Sequence, residues 1–244
     1  MKTIGWTAAA GSLMVLVACG GGGSSGSADS VASSAAPVRI SGVVAQGAAL
    51  VDAKVTARCA SGPTASATSG SSGAYVLEVG EGALPCVLEA VSADGAWTLH
   101  SVAIGNAGTP AVTAHITPLT ELLVAQLAGT APATFMAKAT ARTLGATITP
   151  ANIANAQATV GSVLKLMGVN PAPITDALSQ PLVAASAVQR GNAHDKVLDA
   201  LAEAMRGSGA KLADMVGLVT SRARTLERAG SSVLTGQLGY MGDE

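Results

Sequence analysis

Aromatic residues are nearly missing from this 244-residue chain: one Phe, two Tyr and two Trp, 2% of the total. So few rings leave little surface for stacking on sugars or bases. Charge is thin as well. Asp, Glu, Lys and Arg make up 12%, with 14 basic against 15 acidic residues and a formal net charge of −1. No basic excess exists to grip a nucleic-acid backbone, and no acidic block forms a charged tail. Histidine occurs only at His100, His115 and His194, none of them three to five residues from another His or a Cys. No zinc site can be read from such spacing. No nucleophile elbow, Walker loop or dinucleotide fingerprint joins a strand pattern to a helix pattern. No catalytic residue, cofactor site or metal site is therefore assigned.

Long hydrophobic runs are also lacking. Residues 4–18 are apolar or small throughout, following Lys2. A run of about 15 has the length of a secretory signal core and is too short to span a bilayer comfortably. Residues 1–18 read as a signal peptide. At its end, Leu16, Val17, Ala18 and Cys19 match position by position the Leu-(Ala/Ser/Thr/Val)-(Gly/Ala)-Cys lipobox, and the segment resembles that of bacterial lipoproteins. The resemblance implies a diacylated Cys19 thioether, cleavage before Cys19 and acylation of its new amine. The implied partner is the lipid bilayer. One acyl chain holds a protein marginally, at about 0.8 kcal/mol per buried CH2, and further chains make the anchor stable. In that family an Asp after the Cys favours the inner membrane. Gly20 stands here instead, so the expected location is the cell envelope at the outer membrane, with the periplasmic and surface sides both open.

Cysteine is scarce too, at three residues. With Cys19 assigned to lipid, Cys59 and Cys86 remain, and an exported chain meets an oxidising compartment where two such thiols bridge. Closing a loop of about 27 residues stabilises by roughly 3.5 kcal/mol on the chain-entropy estimate. Their spacing lacks the companion Cys or His of a metal site.

What is abundant is Ala, Val, Leu and Gly. Residues 19–37 comprise the lipidated Cys and a Gly/Ser-rich tether without apolar periodicity. Residues 38–116 read as β, with candidate strands near 38–44, 53–60, 64–69, 74–79, 85–92, 96–104 and 111–116. Val55, Ala57 and Cys59 alternate with Lys54, Thr56 and Arg58, and Cys86, Leu88 and Ala90 with Val87 and Glu89. Both cysteines thus fall on apolar faces, as an inward bridge requires. Asp94-Gly95 marks a hairpin turn. Ser41-Gly42-Val43-Val44, the run from Gly47 to Val55 and Gly73-Ala74-Tyr75 resemble the carboxypeptidase-regulatory-like, or transthyretin-like, module. Ser72 departs from the Asp or Asn often found there. The resemblance implies an Ig/prealbumin-like β-sandwich, an accessory domain rather than a catalytic one.

Residues 117–244 read as helical. Thr117-Pro118 and Thr149-Pro150 are N-cap and first-turn signals, each followed by apolar residues at helical spacing, with Gly129 and Gly168 at the ends. A shorter helix is predicted over 132–144, a long connection or short helices over 174–191, a helix capped by Asn192 over 193–205, and a last one near 210–228. The tail 230–244 reads as loose. The fold class is thus α+β, a β-sandwich followed by a bundle of about five helices, with no linker between them. The opening at 115–120 also resembles uncharacterised bacterial lipoproteins in which a sandwich runs straight into helices.

The constellations are few. Asp195, Asp199 and Glu203 recur every fourth residue beside His194, a carboxylate stripe expected on a solvated face with Asp195 near a helix N-terminus. Ser162-Val163-Leu164-Lys165 matches the Ser-x-x-Lys motif of penicillin-binding proteins, but deep inside a helix and without its companion motifs. Trp97, just after the Asp94-Gly95 turn, is the aromatic best placed for partial exposure. Trp97, His194, Asp195 and Asp199 are the ligand-site candidates. The expected role is a lipid-anchored envelope protein acting as a non-catalytic binding or structural module, with an envelope protein or glycan as partner and no nucleic acid. The alternatives are a carrier of small apolar ligands using the helical half, and a periplasmic hydrolase with its site between the halves.

Overall fold

Alternating small aliphatic and polar residues build seven strands: β1 (Val38–Val43), β2 (Lys54–Cys59), β3 (Ala65–Thr68), β4 (Ala74–Val79), β5 (Cys86–Val91), β6 (Thr98–Ala103) and β7 (Ala111–Thr113). The computed structural model describes residues 36–106, 108–186 and 189–239, with side chains up to residue 225. The expected signal peptide, Cys19 and most of the expected tether lie outside the described residues. The strands form a three-stranded sheet in the order β4-β1-β7 and a four-stranded sheet in the order β3-β2-β5-β6. All pairings are antiparallel except β1 with β7. The predicted strands all form, with β7 ending earlier, at Thr113.

Inward residues of both sheets, among them Ile40, Val55, Ala57, Leu77, Leu88 and Leu99, make one apolar cluster. Cys59 and Cys86 stand opposite each other on β2 and β5, are disulfide-bonded, and belong to this inner face. The glycines of the sequence motif have steric reasons. A Cβ on Gly42 would lie 2.0 Å from the Ala114 carbonyl oxygen. Gly73 has φ +74°, and a Cβ there would meet the Val44 carbonyl oxygen at 2.4 Å. Tyr75 is buried, and its hydroxyl donates to the Ala114 carbonyl, so the ring packs in the core and its polar tip is satisfied.

Six helices follow among the described residues: α1 (Pro118–Ala128), α2 (Pro132–Lys138), α3 (Ala141–Thr147), α4 (Pro150–Leu166), α5 (Ala193–Ser208) and α6 (Leu212–Gly239). Thr117 caps α1 in a reciprocal box with Thr120, and Gly129 ends it in the left-handed region. The single helix expected over 132–144 is two. Ala139 is extended, and Thr140 starts a fresh cap with Thr143. The loose tail expected from residue 230 is helical to Gly239. Extending an existing helix costs far less than starting one, so Gly230, Ser231 and Ser232 are carried along.

Pro118 to Ala125 of α1 are all buried, because the helix lies between β6 and the other helices. Val87 and Val102 on the outer face of the four-stranded sheet join Leu122, Leu123, Leu164, Leu198 and Leu201 in a second core. β5 and β6 are therefore covered on both faces, and burial runs almost unbroken along them, polar His100 and Ser101 of β6 included. His100 locks this junction. Its Nδ1 lies 2.8 Å from Glu121 Oε2, the same oxygen accepts from the His100 backbone N–H at 2.6 Å, and Nε2 is 3.4 Å from Glu89.

Candidate functional site

The β1–β2 loop leaves the sheet at Val44 and turns through Gln46, Gly47 and Ala48. Gly47 takes φ +107°, a conformation glycine adopts without strain. Ala48 forms a parallel bridge with Ala185, in the irregular stretch between α4 and α5. The Ala185 N–H in turn donates to Asp195 Oδ2 at 3.1 Å. A buried carboxylate in the first turn of α5 thus holds the segment to which the β1–β2 loop is paired.

This loop forms one wall of an open cleft of about 640 Å³. Trp97 from the β5–β6 hairpin and Pro118 from the start of α1 line it as well. Leu198, Leu201, Ala202 and Met205 of α5 form the opposite, apolar wall. The hairpin that presents Trp97 is firm. Ser92 Oγ accepts from Trp97 N–H at 2.9 Å, and the Asp94 carboxylate accepts from Ser92 Oγ and Ala96 N–H. These bonds hold the Asp94 carboxyl below its ordinary range.

Two charged side chains reach the cleft, Asp199 and Arg206. The Arg206 guanidinium is paired with Glu203 at 2.5 Å. Asp199 is exposed and forms no ion pair among the described residues. Its Oδ1 lies 3.0 Å from where a Cβ on Gly47 would stand.

The four sequence candidates therefore divide. Trp97 and Asp199 come together on the cleft. His194 and Asp195 do not line it. Asp195 is buried, which corrects its expected place on a solvated face. Burial raises its carboxyl above the ordinary range, the Ala185 N–H opposes this, and Asp199 adds to it. His194 packs edge-on against His115, with ring centroids 5.8 Å apart. His115 Nδ1 accepts from the Val43 N–H at 3.1 Å, and His194 Nδ1 donates to the Gln180 carbonyl at 3.3 Å. Burial, then the neighbouring His194, push the His115 imidazole down to about 4. Burial lowers His194 as well. Both rings serve the interior as neutral groups.

Among the described residues, no group of three or more His, Cys, Asp or Glu side chains is placed to hold a metal. Ser162 donates to the Ala158 carbonyl one turn back and is exposed, so the Ser-x-x-Lys match lies on an outer helix face. Sequence reasoning missed the β1–β2 loop as a cleft wall. The only local signal for it is the Gly47 turn.

No family model, curated protein or solved structure matches this chain.

Proposed function

We propose that this is a lipid-anchored protein of the bacterial envelope, at the outer membrane, that acts as a non-catalytic binding module. The cleft bearing Trp97 and Asp199 is its ligand site. The observation that carries the binding role is the cleft itself: concave, mostly apolar, within the size range of small-molecule sites, and edged by few polar groups. The anchor reading rests on Leu16-Val17-Ala18-Cys19. The disulfide suits an oxidising compartment. Among the described residues no helix is long and apolar enough to cross a membrane, and a lipidated Cys19 would supply the attachment. The two facing sheets, with Gly42, Gly73 and Tyr75 in positions dictated by packing, support a transthyretin-like, carboxypeptidase-regulatory-like module.

The carrier reading gains from the apolar α5 wall, although the cleft lies where helices meet β loops rather than within the helices. An envelope protein or a glycan could occupy the same cleft. The test is native mass spectrometry of the protein released gently from its own membranes, beside an Ala202→Phe variant that fills the cleft. A bound molecule on the wild type that Ala202→Phe loses is the expected result. Identical spectra, together with no thermal stabilisation of either protein by an envelope extract, would overturn the ligand site.

A further inference from the structure

We infer that the ligand of this cleft is a small amphiphilic cation, an apolar body carrying one ammonium-type group that sits against Asp199. The inference rests on the cleft being a ligand site and goes on to name its chemistry. The walls offer the half-buried Ala202, Met205 and Leu212 to an apolar body, and covering them favours a ligand that sheds apolar surface. The charge at the rim is unbalanced. Glu203 already occupies Arg206, whereas the Asp199 carboxylate has no partner among the described residues, although Lys196 precedes it by one turn. A second carboxylate, buried Asp195, lies one helical turn below and feels the charge of Asp199. An anion brought to this end would add to that repulsion, and a cation would relieve it. Trp97 is the one aromatic residue on the lining, and an indole ring attracts a cation and is indifferent to a neutral alcohol of the same length. Gly47 leaves the Asp199 carboxylate room at the rim, because any side chain there would crowd it.

The chain has two tryptophans, Trp6 and Trp97. Trp6 lies in the segment that the proposed cleavage before Cys19 removes, so in the mature chain the emission of Trp97 reads the cleft alone. The experiment titrates that chain with octylammonium, octanol and octanoate at one pH and salt, and repeats the series with Asp199→Asn. The expected result is binding of octylammonium about three- to fivefold tighter than octanol or octanoate, with most of that preference lost in Asp199→Asn. Equal affinity for all three would overturn the cationic ligand and leave an apolar binding cleft standing. Preference for octanoate would overturn it in favour of Arg206 as the group that reads charge. An ammonium preference unchanged in Asp199→Asn would overturn the role of Asp199. No response of Trp97 to any of the three would overturn the cation and count against the cleft as a ligand site.

Discussion

Single residues carry much of this fold through what they exclude. Gly42 sits where the Ala114 carbonyl and the Tyr75 ring leave no space for a methyl group. Gly42→Ala is expected to cost about 2–4 kcal/mol, seen as a lower midpoint in thermal or urea unfolding. The Gly-rich motif was legible in the sequence because close approach and positive φ demand glycine whatever surrounds them. Asp195 was not. Its spacing with Asp199 and Glu203 reads as one solvated stripe, and only the segment laid over it, bonded through Ala185, makes it interior. The buried His115–His194 pair was equally hidden, since residues 79 positions apart meet only in the fold. That pair makes stability pH-dependent. His115 titrates near 4 in the folded chain, with His194 and Asp176 the titratable groups acting on it. The unfolded chain binds its proton near the ordinary value of about 6.5, so the stabilisation is full above that pH and is lost as pH falls towards 4. Urea unfolding at pH 7 and pH 4.5 should differ by on the order of 2–3 kcal/mol from this residue. His115→Asn, which keeps an acceptor for the Val43 N–H, should flatten that slope.

At the scale of elements, the sequence was most readable where punctuation is chemical. Thr117-Pro118 and Thr149-Pro150 start helices as their capping hydroxyls and fixed proline φ require. The break between α2 and α3 was missed because Thr140-Ala141 looks like any helical pair until Thr140 and Thr143 satisfy each other. The extent of α6 was missed because glycine and serine are weak helix formers only when they must nucleate. The disulfide followed from compartment and alternation, and it joins directly opposed residues of β2 and β5. It closes a loop of 27 residues that runs through β3 and β4, and it bridges neighbouring strands of the four-stranded sheet. Reduction, or a Cys59→Ser/Cys86→Ser double variant, should lower the unfolding free energy by about 3.5 kcal/mol, measured by urea titration with and without reductant.

At the scale of the molecule, two apolar cores share one sheet. The inner core lies between the sheets, and the outer one between the four-stranded sheet and the helices. The junction that this sharing creates is also where the cleft opens, between the β1–β2 loop, the β5–β6 hairpin and α5. No single stretch of sequence encodes it, which is why Trp97 and Asp199 could be named separately but not paired. On the proposed reading, where the molecule acts depends on Cys19. The most direct measurement is fractionation of cells expressing the wild type or Cys19→Ala, with each protein followed by immunoblot. The account predicts the wild type in the outer-membrane fraction and Cys19→Ala, still disulfide-bonded, in the soluble periplasmic fraction. Cys19→Ala remaining with the membranes would contradict it.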